Sequence, residues 1–577
     1  MSKKEIIFWA LFFLLNALLF LPKFLLDIDS STFFPDFYNA GTFREKWKFF
    51  FRRDNQDIFR ISVDMLILLW IVVLFKGKRL PKRFWYLTVA VYIVLFFYQI
   101  YQGSIQTLYQ QKPLFYSDIL LIKEGVAILM AESATWLLAL VLVFMVLLCY
   151  ISYFLLFRFA KISTEVNLSL SSKIILALIT IPCLMSLIDF HSRLGNLQMA
   201  FPLQGYWILD NIQRSTVVYR STHALNPSAY SKYYDYKDCS LSVKPNIYLF
   251  FIESYGKILY EDPAIKNAYL AGLKSNEAKL RDHHWKSISA FSQSPVKGGR
   301  SWLAFTSFVT GTNIDRHALY DYLIDNSEFN LPTLYKSLQS FGYKSFWLSA
   351  LQNNGRKIPF DRYTKFYGVD HWIKFDDLNY HGELYGALPA PADQYSLNFA
   401  HEFIHQKTGG PFILFFISLN SHHPFDSPEH IVDDWRLLSK NKDPHSNGLA
   451  GRSRKSVHQN YLRSINYQLD YMTEFIIQNG REKDLFILIG DHQPPVLANR
   501  SHGYETPVHV ITKDSDFIGN FAPYNFSEGL VVDKKNGRSL KHAGFHSIIM
   551  RELIRSYGTK CHKKLDYFPE GVELNSN

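Results

Sequence analysis

The sequence predicts a membrane-anchored α/β protein. Five apolar helices are expected over residues 1–190, a connector over 191–244, and an α/β domain over 245–577. The sheet of that domain is expected to be mostly parallel and covered by helices on both faces. Three observations predict this. The long apolar runs concentrate in the first 190 residues of a chain that is 48% hydrophobic and 16% aromatic. From Pro245 onward, short apolar runs alternate with helical patterns. Two of those runs stop abruptly at acidic or imidazole groups, at the kind of strand end where ligands and catalytic groups collect.

A spanning helix needs about 20 mostly apolar residues. The candidate spans are Ile6 to Leu21, Ile61 to Phe75, Phe84 to Tyr101, Trp136 to Phe157 and Lys173 to Leu187. The first has no small-residue cleavage site after Leu21 and four spans follow it, so it reads as a retained anchor. Lys76, Lys78, Arg79, Lys82 and Arg83 place the loop between spans two and three in the cytoplasm by the positive-inside rule. Lys3 and Lys4 then lie inside as well, and five crossings leave everything after residue 190 outside. Arg44 to Arg60 is basic and aromatic on the outer side, which suits an amphipathic helix lying in the interface. The net charge of +11 is explained by membrane flanks and an anionic substrate or surface. No Gly-rich phosphate loop or nucleic-acid motif is present, so nucleic acid is not an expected partner.

In the α/β half, strands are expected at Ile247 to Ile252, Ser345 to Leu348, Phe412 to Leu419, Leu485 to Ile489 and Val508 to Ile511. Helices are expected at Leu331 to Phe341 and, with Tyr461, Ile465, Leu469, Met472 and Ile476 near helical spacing, at Tyr461 to Gln478. Lys440 to Ser456 is polar and charged and reads as a mobile loop. Of the four cysteines, Cys149 and Cys183 fall in spans and read as buried apolar residues. Cys239 and Cys561 flank the outer domain, and an oxidising compartment permits a bridge between them.

The chemistry concentrates in a few residues. Glu253 ends the run Ile247 to Ile252, and Asp491-His492 ends Leu485 to Gly490. A lone acid in Glu253's place could cap a helix, but the paired Asp-His at a second strand end favours a ligand set. Ser301 stands after Gly-Gly-Arg and before an apolar helix pattern. A hydroxyl at a helix amino terminus can serve as a cap or as a nucleophile beside a phosphate site. Thr306 and Ser307 are rival hydroxyls. A carboxylate, a carboxylate-imidazole pair and a hydroxyl make a divalent-metal site with an activated nucleophile. Ligand type points to Mn or Zn, with Mg or Ca as further candidates. Of His422 and His423, one reads as a structural hydrogen-bonding histidine and the other, His423 by preference, as facing substrate, while His502 on spacing alone reads equally as a substrate contact or a surface-loop residue. Arg356 and Arg362 are candidate bidentate phosphate clamps.

These motifs, between Asn246 and His502, resemble the alkaline-phosphatase and sulfatase superfamily. Within it, five spans plus an outer domain are similar to lipoteichoic-acid synthases and to phosphoethanolamine or phosphoglycerol transferases of bacterial envelopes. The resemblance makes Glu253 the first metal ligand, Ser301 the nucleophile in place of the usual Thr, and Gly490-Asp491-His492 the second metal segment. Ser421-His-His-Pro-Phe425 resembles the substrate histidine segment, and Ser501-His502-Gly503 a further phosphate-side histidine. The implied fold of residues 245–577 is alkaline-phosphatase-like. The implied activity is transfer of a phospholipid headgroup to an envelope glycan or lipid acceptor through a covalent phosphoserine. The implied location is the bacterial cytoplasmic (inner) membrane, with the catalytic domain outside. A hydrolase of the same fold, acting on a sulfuric ester or phosphodiester, is the alternative. Its sulfatase form is disfavoured because no Cys/Ser-x-Pro-x-Arg motif surrounds Ser301. A catalytically dead binding module is disfavoured by the intact Glu, Ser, Asp and His set, and a transporter by the lack of intramembrane charge.

Overall fold

The computed structural model describes residues 1–26, 57–75, 80–121, 135–192, 200–225, 230, 232–326, 329–352, 358–440, 454–499, 502–533, 539–561 and 564–574. The chain divides into two compact units, Met1–Val218 and Tyr219–Asn577. That division falls inside the stretch read as a connector.

The first unit is helical. Its helices are α1 (Lys3–Leu26), α2 (Val63–Leu74), α3 (Lys82–Tyr109), α4 (Thr135–Ser163) and α5 (Leu170–Ser192), followed by α6 (Gln204–His223). Helices therefore stand at all five expected positions. Among the described residues, three are long and apolar enough to cross a membrane: α1, α3 and Val143–Ser163 within α4. The other apolar helices are shorter, Val63–Leu74 and Leu170–Leu184. Twelve residues at 1.5 Å each give α2 a length of about 18 Å, short of a ~30 Å hydrocarbon core. Two polar pairs join neighbouring segments of this unit. Ser62 N donates to Asn16 Oδ1 at 2.8 Å and Tyr92 OH to Leu15 O at 2.8 Å. Helix α6 was not expected, because Tyr, Ser and charged residues dilute its apolar positions. Arg44 to Arg60 lies mostly outside the described residues.

The second unit is an α/β domain. Its strands are β1 (Ser240–Leu241), β2 (Ile247–Ile252), β3 (Lys286–Gln293), β4 (Lys344–Ser349), β5 (His371–Lys374), β6 (Phe412–Ile417), β7 (Leu485–Gly490), β8 (Glu505–Thr512), β9 (Ser527–Glu528), β10 (Leu540–Lys541) and β11 (Gly558–Lys560). The main sheet runs β10-β3-β8-β7-β2-β6-β4-β5, with β9 on β3. From β7 to β5 the neighbours are parallel. β10 also runs parallel to β3, while β8 runs antiparallel to both β7 and β3 and β9 antiparallel to β3, so the sheet is mixed with parallel pairs in the majority. Strand β3 had no apolar run to announce it, since serines alternate through Lys-Ser-Ile-Ser-Ala-Phe-Ser-Gln.

Both faces of the sheet are covered. Ile247, Leu249 and Phe251 of β2 enter one core with α8 (Ser301–Thr310) and α11 (Phe545–Tyr557). Tyr248, Phe250 and Ile252 enter the other with α7 (Lys266–Asp282), α9 (Asp393–Lys407) and α10 (Arg454–Asn479). This period-two division explains why β2 is apolar throughout. The expected helix at Leu331 to Phe341 is shorter, Leu334–Gln339. Of the Lys440 to Ser456 stretch, 441–453 lies outside the described residues, and Arg454 to Ser456 belong to α10. Outside the main sheet, β1 pairs antiparallel with β11, and a disulfide joins Cys239 and Cys561, whose Cα atoms are 4.2 Å apart.

Candidate active site

The sheet register brings the site together. Strands β2 and β7 are parallel neighbours, and their last pair is Ile252 with Gly490. Glu253 and Asp491 therefore leave the sheet side by side. Their side chains, with His492, are buried and offer ligand atoms within 4.8 Å of one another. Ser301 arrives from the amino terminus of α8. Its Oγ donates to Glu253 Oε2 at 2.8 Å and lies 3.2 Å from His492 Nε2.

The backbone around the site is bent to hold these groups. Ser254 has φ +61°, and Gly299 and Arg300 both have φ +60°. Such non-glycine conformations persist only where the surroundings fix them. Ser254 N donates to Asp491 Oδ1 at 2.8 Å, and Ser254 Oγ to Glu253 Oε1 at 3.1 Å. His492 N donates to the same Asp491 Oδ1 at 2.7 Å. The left-handed Arg300 opens α8 without a side-chain cap, so the first turn presents its N–H groups beside Ser301.

Tautomer and charge follow from these contacts. His492 Nδ1 meets the Gln493 carbonyl at 2.9 Å and must donate to it. Nε2 therefore carries the lone pair, and it faces Asp491 Oδ2 at 3.3 Å and Glu253 Oε1 at 3.4 Å. Burial pushes His492 below its usual pKa, against the pull of Glu253. These contacts are therefore not ion pairs. Burial pushes Glu253 up, but the neighbouring His492 and His422 rings and its own hydrogen bonds outweigh it and hold it below the usual range. Asp491, buried beside the Glu253 charge, is pushed far above the usual range. Asp491 Oδ2 has no hydrogen-bond partner. Two carboxylates, an imidazole lone pair and a hydroxyl thus converge with an orphaned oxygen among them. That donor set fits one divalent cation and lacks a positive charge of its own.

Residues 245–511 match the family model described as Sulfatase. That match lies within the second unit and makes it similar to this family. This agrees with the resemblance carried by the motifs between Asn246 and His502. No curated protein matches the chain. Solved structures similar to it include the lipoteichoic acid synthase LtaP from Listeria monocytogenes, at 15% identity and TM-score 0.38, covering 60% of this chain and 82% of that one. The lipooligosaccharide phosphoethanolamine transferase EptA from Neisseria meningitidis is 11% identical at TM-score 0.43, covering 85% and 92%. The Streptococcus pyogenes phosphoglycerol transferase GacH is 14% identical at TM-score 0.34, covering 61% and 89%. At TM-scores below 0.5 these likenesses carry no weight beside the chemistry of the site itself.

The other candidate residues of the second unit are disposed differently around this centre. His422 acts electrostatically on both Glu253 and His492. Its Nδ1 contacts the His423 carbonyl at 2.8 Å. His423 packs its ring against Phe425 and is pushed below its usual pKa, by burial first and then by His422. His502 is half-buried, and its Nδ1 accepts from Asn499 N at 3.0 Å. Arg362 is 47% exposed and pairs with Asp325. Arg356 lies outside the described residues. The rival hydroxyls are buried and engaged elsewhere. Thr306 bonds Trp302 O and Tyr367 OH, and Ser307 accepts from Ile314 N at 2.8 Å.

Several residues of the site were not read from the sequence. Ser418 Oγ accepts from Glu253 N at 3.0 Å and contacts Ser421 Oγ at 2.9 Å. Gln493 Oε1 accepts from Ile258 N, and Nε2 donates to Glu505 O, bracing the loop after β2. A Cβ on Gly256 would lie 2.1 Å from that Oε1, so only glycine fits there. Lys297 and Arg300 are buried cations just before Ser301. The only signal for them was their place beside the Gly-Gly turn.

Proposed function

We propose that the protein transfers a phosphorylated headgroup, phosphoglycerol or phosphoethanolamine, from a membrane phospholipid to a hydroxyl of an envelope glycan or lipid. The observation that carries this reading is Ser301 Oγ held against Glu253 and His492 at an uncapped helix amino terminus. Glu253, Ser301, Asp491 and His492 would hold one divalent cation, Mn or Zn. Such a cation supplies Lewis-acid charge that makes a bound hydroxyl nucleophilic at neutral pH.

The residues themselves supply the rest. Ser301 Oγ attacks the phosphorus, and the bond from phosphorus to the diacylglycerol oxygen breaks. Glu253 Oε2 accepts a hydrogen bond from Ser301 Oγ and takes its proton in the attack. The α8 N–H groups and the Arg300 and Lys297 charges offset the negative charge of the phosphoryl oxygens. His422, His423 and His502 are the candidates to protonate the departing diacylglycerol oxygen or to bind those oxygens. The acceptor hydroxyl then attacks the Ser301 phosphodiester, its proton passing to the histidine that protonated the diacylglycerol, and the bond from phosphorus to Ser301 Oγ breaks as Ser301 recovers its proton from Glu253.

The proposed setting is the bacterial cytoplasmic (inner) membrane. Five spans over residues 1–190 keep the chain in the bilayer with its donor, and residues 245–577 form the catalytic domain outside. The test incubates purified full chain with phosphatidylglycerol or phosphatidylethanolamine and follows diacylglycerol. Release of diacylglycerol with the headgroup moved to an added glycan supports transfer. Release of free headgroup phosphate to water, with none on any acceptor, points instead to a hydrolase.

A further inference from the structure

A second buried histidine touches the site through the backbone. His542 lies on the single turn His542–Gly544, just after β10, and is 1% exposed. Strand β10 pairs with the end of β3 at Ser292 and Gln293. The His542 turn also packs against α8, which carries Ser301. The His542 Nδ1 lies 2.8 Å from Ser292 Oγ, and its Nε2 lies 3.0 Å from the Gly490 carbonyl oxygen. Its ring also approaches Phe251 of β2.

The tautomer follows from the partners. A carbonyl oxygen only accepts, so Nε2 carries the proton and donates to Gly490 O. Nδ1 then accepts from the Ser292 hydroxyl. Burial keeps the ring neutral, pushing it down to about 4.

Gly490 needs this partner. The antiparallel pairing of β7 with β8 ends at Ile489 and Val508. A buried carbonyl that has left the ladder costs free energy unless it is bonded. On its other side the Gly490 Cα is pressed against the loop after β2. A Cβ there would lie 1.9 Å from Tyr255 O. The peptide joining Gly490 to Asp491 is therefore held between that loop and His542.

We propose that His542, fixed as its Nε2–H tautomer by Ser292, is a positioning residue that sets the Gly490–Asp491 peptide and so aims Asp491 and His492 at the metal position. This role rests on the reading of Glu253, Asp491 and His492 as ligands. Groups that orient ligands from behind typically change metal affinity 10–100-fold when lost.

The test measures Mn and Zn affinity calorimetrically on the full chain in detergent after chelator treatment. The proteins are wild type, His542→Leu, His542→Gln and Ser292→Ala, and each is also melted without metal. Gln can place an amide N–H near Nε2, whereas Leu fills space without a donor. The expected result is a loss of at least 10-fold in His542→Leu, rescue to within about 3-fold in His542→Gln, and an intermediate loss in Ser292→Ala. Affinities like wild type in both His542 variants overturn the proposal. Equal losses in Leu and Gln, tracking equal losses of metal-free melting temperature, reduce His542 to packing and also overturn it. Should His542→Leu fail to fold, unchanged affinity in Ser292→Ala overturns it and a several-fold loss with unchanged melting supports it. Wild-type protein that binds neither metal defeats the ligand reading itself, and this role with it.

Discussion

Ser301 Oγ donates to Glu253 Oε2 at 2.8 Å, joining the amino terminus of α8 to the end of β2. The contact puts a hydroxyl against the buried acid, beside Asp491. Ser301→Ala is expected to abolish headgroup transfer, at a stability cost of roughly 1–2 kcal/mol or less. Ser301→Thr keeps the hydroxyl and should retain measurable transfer. Diacylglycerol release and a melting curve for each variant check this. Near-normal transfer by Ser301→Ala moves the nucleophile elsewhere, with Thr306 and Ser307 the nearest rivals in sequence.

Under the proposed transfer, the site must face the side where a lipid donor is presented. A reporter active only outside the cytoplasm should therefore be active when fused after Gly558 and silent when fused at Arg79. The reverse pattern would defeat the five-span topology and the transferase reading together. Activity at both positions would indicate a miscounted span, for which α2, at 12 residues, is the first suspect.

Cys239 and Cys561 close the second unit, next to the pairing of β1 with β11. A loop this long contributes roughly 6 kcal/mol in the chain-entropy account, and often less in practice. Reduction, or Cys239→Ser with Cys561→Ser, should lower the melting temperature of the full chain without changing its metal affinity. Peptide mapping without reductant should recover the linked pair. Two free thiols in protein taken from an oxidising compartment would reject the bridge.

Asp393 opens α9 and is fully buried. Its carboxylate accepts from Leu419 N, Asn420 N and Gln468 Nε2, which pins the turn leading to His422 and His423. Burial outweighs those bonds and pushes Asp393 up to about 7. An unfolded Asp titrates near ~3.9. The folded state thus holds a proton that the unfolded state has lost. The stability this contributes is full below about pH 4 and lost as pH rises through about 7, up to ~4 kcal/mol in the limit. Asp393→Asn should flatten that decline. Melting both proteins at pH 5 and pH 8 measures it, and parallel pH curves would count against the assignment.

The sequence disclosed what its apolar runs could carry. Ile247 to Ile252 and Leu485 to Gly490 ended at Glu253 and Asp491, so two strand ends were visible before their register was. The contributions made through backbone geometry were not. Nothing in the type of residue 254 announces a φ of +61° or an N–H aimed at Asp491. His542, Ser418, Gln493 and Asp393 act through hydrogen bonds to distant segments, which no local period encodes. Strand β3 escaped notice because half its positions are polar, and Ser289 and Ser292 of that strand turn out to bond His509 and His542. The antiparallel part of the sheet was not legible either, since apolar runs at β7 and β8 show that strands exist but not which way they pair.

The most direct measurement is peptide mass spectrometry of the full chain after incubation with one phospholipid of defined headgroup and no acceptor. A headgroup phosphate attached to Ser301, matching the lipid supplied and absent from Ser301→Ala, is the predicted result. Diacylglycerol release with Ser301 unmodified, or with the phosphate on Thr306 or Ser307, would contradict the account.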